Sequence, residues 1–172
     1  KTARCDNGCG TKNTVVDKGS KKTNPSQSPK IKIGQKLQNS VGVRCAITGK
    51  NTAECIGYVG KKNSVTIPPS LKYMGVTYQI TSIKTKAFSG NKNLRSIVIP
   101  SSIRTIGSQA FFKCKNLKKI TIKTPYLSKK TVGAKAFKGI HAKAKIKVPK
   151  KQKKAYQKLL KAKGAGKKVT IK

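Results

Sequence analysis

Two stretches of this chain have the same length and carry the same apolar residues in the same places. Residues 80–102 and 103–125 each span 23 positions and read I-x2-I-x3-A-F-x5-L-x2-I-x-I. The first runs through Ile80, Ile83, Ala87, Phe88, Leu94, Ile97 and Ile99. The second runs through Ile103, Ile106, Ala110, Phe111, Leu117, Ile120 and Ile122. Self-similarity of this kind restricts the fold more than any composition does. A unit this short cannot bury its own apolar face, so neighbouring units must stack and share one core.

The same pattern extends in both directions in degraded form. Val132, Ala136, Phe137, Ile146, Val148 and Pro149 make a third unit, in which Lys143 takes the leucine place, three extra residues precede it and Ile140 is available to fill the gap. Upstream, Val65, Ile67, Pro68 and Leu71 have the spacing of Ile97, Ile99, Pro100 and Ile103, and residues 73–78 around Met74-Gly75 read as an inserted hairpin. A period of 23 lies in the leucine-rich-repeat range, where each unit supplies one short strand and a return segment. The expected core is therefore Ile83, Phe88, Leu94, Ile97, Ile99, Ile106, Phe111, Cys114, Leu117, Ile120, Ile122, Phe137, Ile146 and Val148. Phe88 and Phe111 hold equivalent places and should stack.

Strand alternation then divides each repeat into an inward and an outward set. Ile97 and Ile99 point in, Ser96 and Val98 point out, and the same parity puts Lys119 and Thr121, then Lys145 and Lys147, on the outside. With Arg95 and Lys118 at the strand entries, these six are the candidate ligand-binding residues. After Pro149, residues 150–163 are strong helix formers with Ala155, Tyr156, Leu159 and Leu160 on one side and Gly164 as the stop. This helix lacks Trp and Phe and its apolar stripe is narrow, so it suits a cap on the stack better than a membrane-surface helix. Residues 169–171 add a last short strand.

Ahead of the repeats, residues 41–48 and 52–59 are β-prone and flank Gly49-Lys50-Asn51, a hairpin signal. Cys45 and Cys55 lie symmetrically about Lys50, which allows either a cross-strand disulfide or two buried thiols. Residues 1–38 are polar, with Pro25 and Pro29, and read as a flexible basic tail or linker. Cys5 and Cys9 within it suit a small disulfide loop better than half of a zinc site. Cys114 replaces the Asn91 of the preceding unit and reads as a buried structural side chain. His141 reads as an ordinary loop residue.

Charge narrows the function. Lys and Arg number 41 against Asp6, Asp17 and Glu54, a formal net charge of +38. Only Arg4, Arg44, Arg95 and Arg104 are arginines, so the positive charge is carried by flexible, hydrated point cations rather than bidentate forks. Three scattered acids and one histidine are a poor supply for acid–base chemistry, which argues against an enzyme, and no cofactor or metal site is expected. Nucleic acid would bind nonspecifically, but aromatic residues are only 5% of the chain, too few for a stacking platform. No stretch approaches the roughly 18 apolar residues of a membrane span. Lys1 is not an initiator methionine, which reads as a mature protein with its leader removed, or a fragment.

The segments Lys-Ala-Phe-Ser-Gly-Asn (86–91) and Gln-Ala-Phe-Phe-Lys-Cys (109–114), with the closing Ile99-Pro100, resemble BspA-like leucine-rich repeats. The resemblance covers roughly residues 41–172. It includes Ala136-Phe137-Lys138-Gly139-Ile140-His141 and the terminal Tyr156-Gln157-Lys158-Leu159-Leu160, which look like the ends of Lys-rich members from Gram-positive bacteria. Lys123 and Lys143 depart from the pattern at the closing proline and the leucine.

The resemblance implies an α/β repeat fold. A short leucine-rich-repeat solenoid of about 23-residue units occupies residues 64–149, preceded by a β-hairpin region and followed by a capping helix within 150–172, all in one domain, 39–172. It also implies a secreted or surface-attached bacterial protein without chemistry, acting in adhesion. The expected partners are a host or bacterial surface protein, or an anionic glycan or teichoic acid. The rival readings are a nonspecific nucleic-acid or polyanion binder and a structural spacer in a larger surface protein.

Overall fold

A computed structural model describes residues 32–172. Cys5, Cys9 and most of the expected tail lie outside the described residues. Eleven strands, one α-helix and a short 3-10 turn just ahead of it (Lys150–Gln152) make up the described part. They are β1 (Lys36–Gln38), β2 (Val43–Gly49), β3 (Thr52–Tyr58), β4 (Ser64–Thr66), β5 (Ser70–Tyr73), β6 (Val76–Ile83), β7 (Ser96–Ile99), β8 (Thr105–Ile106), β9 (Lys119–Ile122), β10 (Lys145–Lys147), α1 (Lys153–Ala162) and β11 (Thr170–Ile171). The return segments of the repeats are successive turns, so the architecture is mostly strand and helix enters only at the end.

The strands form two sheets with the core between them. One runs β1-β2-β3-β6-β5 with β8 also on β6, and the other runs β11-β10-β9-β7-β4 with all its pairs parallel. In the parallel sheet Ser96 pairs with Lys119 and Ile99 with Ile122, each 23 residues on. The apolar alternation explains this register: shifting one strand by a single residue would turn Ile120 and Ile122 out to water. Across the core, Ile83 pairs with Ile106, and Ile106 bridges to Val132.

All fourteen expected core residues are buried. At the centre the rings of Phe88, Phe111 and Phe137 stack, with centroids 5.3 and 5.4 Å apart and planes within about 21°. Backbone bonds hold these turns together: Phe88 N–H donates to Ala110 O, Phe111 N–H to Ala136 O and Phe137 N–H to Lys163 O. Gly107 and Gly133 occur where successive coils touch. A Cβ on Gly107 would lie 2.3 Å from the Thr85 nitrogen, and one on Gly133 would lie 2.3 Å from the Ser108 nitrogen.

The irregular places have their own solutions. In the third unit Lys143 is exposed while Ile140 and Ala144 are buried. After Lys123 there is no proline, and Thr124 is buried instead, its hydroxyl donating to Ile103 O. Tyr156 of α1 donates its hydroxyl to Thr124 O (2.8 Å) and accepts from Leu127 N–H (3.0 Å), tying the helix to the repeats. Tyr156, Leu159 and Leu160 are buried, whereas Ala155 is exposed, because the buried stripe of a helix this short needs only the i, i+3, i+4 set.

One detail at the N-terminal side was not expected, and the expected inserted hairpin extends further on both sides than residues 73–78. Lys36–Gln38, within the stretch read as tail, pairs antiparallel with β2. The insertion around Met74-Gly75 is a full hairpin, β5 against β6, whose turn residues both take positive φ (49° and 76°).

Candidate functional site: the outer face of the parallel sheet

The candidate site follows from parity and register. Inward isoleucines fix β9, β10 and β11, so the residues between them must face solvent. Lys119 and Lys145 are register partners, Thr121 pairs with Lys147, and Lys145 pairs with Thr170. Lys172 extends the last strand: its N–H donates to Ile146 O (2.9 Å) and its carbonyl accepts from Val148 N–H (2.8 Å), which sets it beside Lys147. Lys119, Thr121, Lys145, Lys147 and Lys172, with Ile120 at the base, line one shallow depression of about 190 Å³.

Four of the six expected ligand residues therefore line one depression. Arg95 and Lys118 do not line it. They sit at the strand entries, where Lys118 N–H and Lys119 N–H both donate to Arg95 O and Lys145 N–H donates to Lys118 O. Lys172 was missed, although the repeated Ile-Lys of 146–147 and 171–172 is a legible signal for it.

No acidic side chain of the described residues offsets these lysines. Glu54 is the only acid among them, and it lies 4.0 Å from Lys84 on the other sheet's side of the fold. The face toward β4 is different in character: Ser64, Thr66, Ser96 and Val98 occupy the same outward rows. Positive charge is thus concentrated at one end of a sheet that is neutral at the other.

The thiols divide into two environments. Cys45 and Cys55 are register partners on β2 and β3, both buried and both free thiols rather than the disulfide that their spacing also allows. The hydrogen bond to Cys45, with burial, holds the Cys55 thiol well above its ordinary range. Cys114 is pushed up to about 11 by burial, and its Sγ–H donates to Phe88 O at 2.9 Å, a structural contact between neighbouring coils. His141 is a half-buried loop residue whose Nδ1 accepts from Lys143 N–H.

The family model of the BspA type leucine-rich repeat region, in six copies, matches residues 69–172. The chain belongs to this family. Solved bacterial leucine-rich repeat proteins resemble it over most of its length: a leucine-rich cell surface protein from Faecalibacterium prausnitzii superposes with a TM-score of 0.52 at 23% identity, covering 73% of this chain and 38% of its own. A leucine-rich repeat protein from Bacteroides capillosus gives the same TM-score at 18% identity, covering 80% of this chain and 98% of its own. This chain thus spans well under half of the Faecalibacterium protein. At these identities the likeness speaks for the fold. A comparison with curated proteins finds no match. Among the described residues no helix of this BspA-type domain is long and apolar enough to cross a membrane.

Proposed function

We propose that this BspA-type domain is a non-catalytic binding module of a bacterial surface or secreted protein, and that it adheres to an anionic polymer through the lysine face of its parallel sheet. The observation that carries this reading is the gathering of Lys119, Lys145, Lys147 and Lys172 into one depression with no acidic side chain of the described residues beside them. The likeness to a Faecalibacterium cell surface protein supports the location. Helix α1 serves as the cap of the stack, its end standing where the next coil would stand against Phe137.

Charge reversal tests the proposal. Lys119→Glu, Lys145→Glu and Lys147→Glu together should weaken heparin binding by at least about tenfold more than Lys154→Glu, Lys158→Glu and Lys161→Glu on α1, because contacts gathered on one ligand segment are lost together. Wild-type affinity should fall on the order of a thousandfold between about 0.05 and 0.5 M salt if some four ionic contacts form. Equal losses in the two triple variants would replace the dedicated face by diffuse attraction. Binding of a protein partner with none to any polyanion would assign the lysines to a solvated coat.

The location proposed also bears on Cys45 and Cys55, which would be oxidised to a cross-strand disulfide outside the cell. Closing a loop this short should raise stability by about 2 to 3 kcal/mol, read as a higher denaturation midpoint in the oxidised than in the reduced protein. Non-reducing peptide mapping should find the Cys45–Cys55 link. A link from either to Cys114 would contradict the pairing.

A further inference from the structure

The outward positions of β9, β10 and β11 form a grid of two rows. Lys119, Lys145 and Thr170 make the first, and Thr121, Lys147 and Lys172 make the second. Neighbouring strands stand about 4.8 Å apart, and outward residues on one strand about 6.6 Å apart. Every position in the grid carries an ammonium or a hydroxyl group. The next strand breaks it, because β7 presents Ser96 and Val98 in the same rows.

Four cations stand within a patch roughly 7 Å by 10 Å. A glycan with one carboxylate per disaccharide brings only one or two charges to such a patch as it crosses. Contiguous phosphates, or a sugar bearing several sulfates, bring three or four, together with oxygens that can accept from Thr121 and Thr170. Because Glu54 carries the only acidic side chain of the described residues and lies away from the grid, no side chain there neutralises the lysines and an anionic ligand can.

Building on the polyanion reading above, we infer that the grid selects for charge density: its ligand is a polymer with clustered tetrahedral oxyanions, phosphate or sulfate, in preference to one whose charges stand singly. Lysine heads are mobile point charges and impose little orientation, so the selection works by how many anionic oxygens reach the patch at once rather than by their angles.

The test uses the full 172-residue chain, calorimetry at 0.15 M salt and ligands of equal total charge: linear tetraphosphate, a heparin-derived oligosaccharide and a hyaluronate oligosaccharide with one carboxylate per disaccharide. Two charge-matched variants are compared. One carries Lys119→Gln, Lys145→Gln, Lys147→Gln and Lys172→Gln, and the other carries Lys153→Gln, Lys154→Gln, Lys158→Gln and Lys161→Gln. Wild type should bind the clustered ligands at least about tenfold more tightly than hyaluronate, and the grid variant should lose about tenfold for them, since each exposed charge contact contributes roughly a factor of two. The helix variant should stay within about threefold of wild type. Tetraphosphate preferred over heparin identifies a phosphate polymer, the reverse identifies a sulfated glycan, and either outcome supports the inference. Equal affinity for clustered and spaced ligands overturns it while leaving polyanion adhesion standing. If none of the three binds even at 0.05 M salt, the adhesion reading falls as well.

Discussion

Phe111→Ala will destabilise the domain by about 3 to 5 kcal/mol, a large share of the roughly 5 to 15 kcal/mol that holds a domain of this size together. The ring is fully buried and lies between two others, 5.3 Å from Phe88 and 5.4 Å from Phe137. Removing it leaves a cavity whose walls belong to three successive coils. Those walls cannot close, because the coils are held at fixed spacing by Phe88 N–H on Ala110 O and Phe111 N–H on Ala136 O. Phe88 has a stacked partner on one side only, so Phe88→Ala should cost less than Phe111→Ala. Urea denaturation monitored by circular dichroism would show the order. A Phe111→Ala midpoint indistinguishable from wild type would mean that the aromatic stack is not what joins the repeats.

Gly107→Ala should be nearly as damaging, at about 3 kcal/mol, the upper end of what overpacking a close contact costs. The sign is the informative part. Gly107 does not occupy the left-handed region, so on conformational grounds alone alanine would stabilise by about 0.4 to 1 kcal/mol. Steric contact decides otherwise: the new methyl would stand 2.3 Å from Thr85 N and 2.7 Å from Thr85 Cα, both backbone atoms of the preceding coil. Gly90→Ala is the control, with open space around the new Cβ but a φ of 72°, and should cost only about 1 kcal/mol of backbone strain. A stabilised Gly107→Ala protein would show that the coils have slack along the stacking axis.

Much of this fold was legible in the sequence because its main determinant is local and repeated. Inward isoleucines at fixed spacing define strands, and the Ala-Phe pair defines the turn behind them. The glycines at 107 and 133 were harder to read: the first unit has Lys84 in the same place, so the pattern does not mark the position, and the need for glycine arises only where the backbone of the preceding coil comes close. β1 was missed because Lys36, Leu37 and Gln38 show no apolar period of their own and are held by pairing with Arg44, Cys45 and Ala46. Parity alone found the lysine rows, but Lys172 joins them through the register of β11, a non-local fact. Thr124 was invisible for a similar reason: its burial depends on Tyr156, 32 residues away.

The lone ion pair among the described residues, Lys84 with Glu54, has a consequence for life in acid. Proteins commonly unfold at low pH because paired carboxylates take up protons that the folded state resists. This chain has three carboxylate side chains and one histidine in all, so few side chains can take up a proton between neutrality and pH 3. Its cohesion comes from stacked rings and backbone rungs, neither of which titrates. Acidification therefore leaves both its shape and its charge nearly as they were, and a sulfate ligand, itself a strong acid, would remain held in surroundings that loosen grips built on carboxylates.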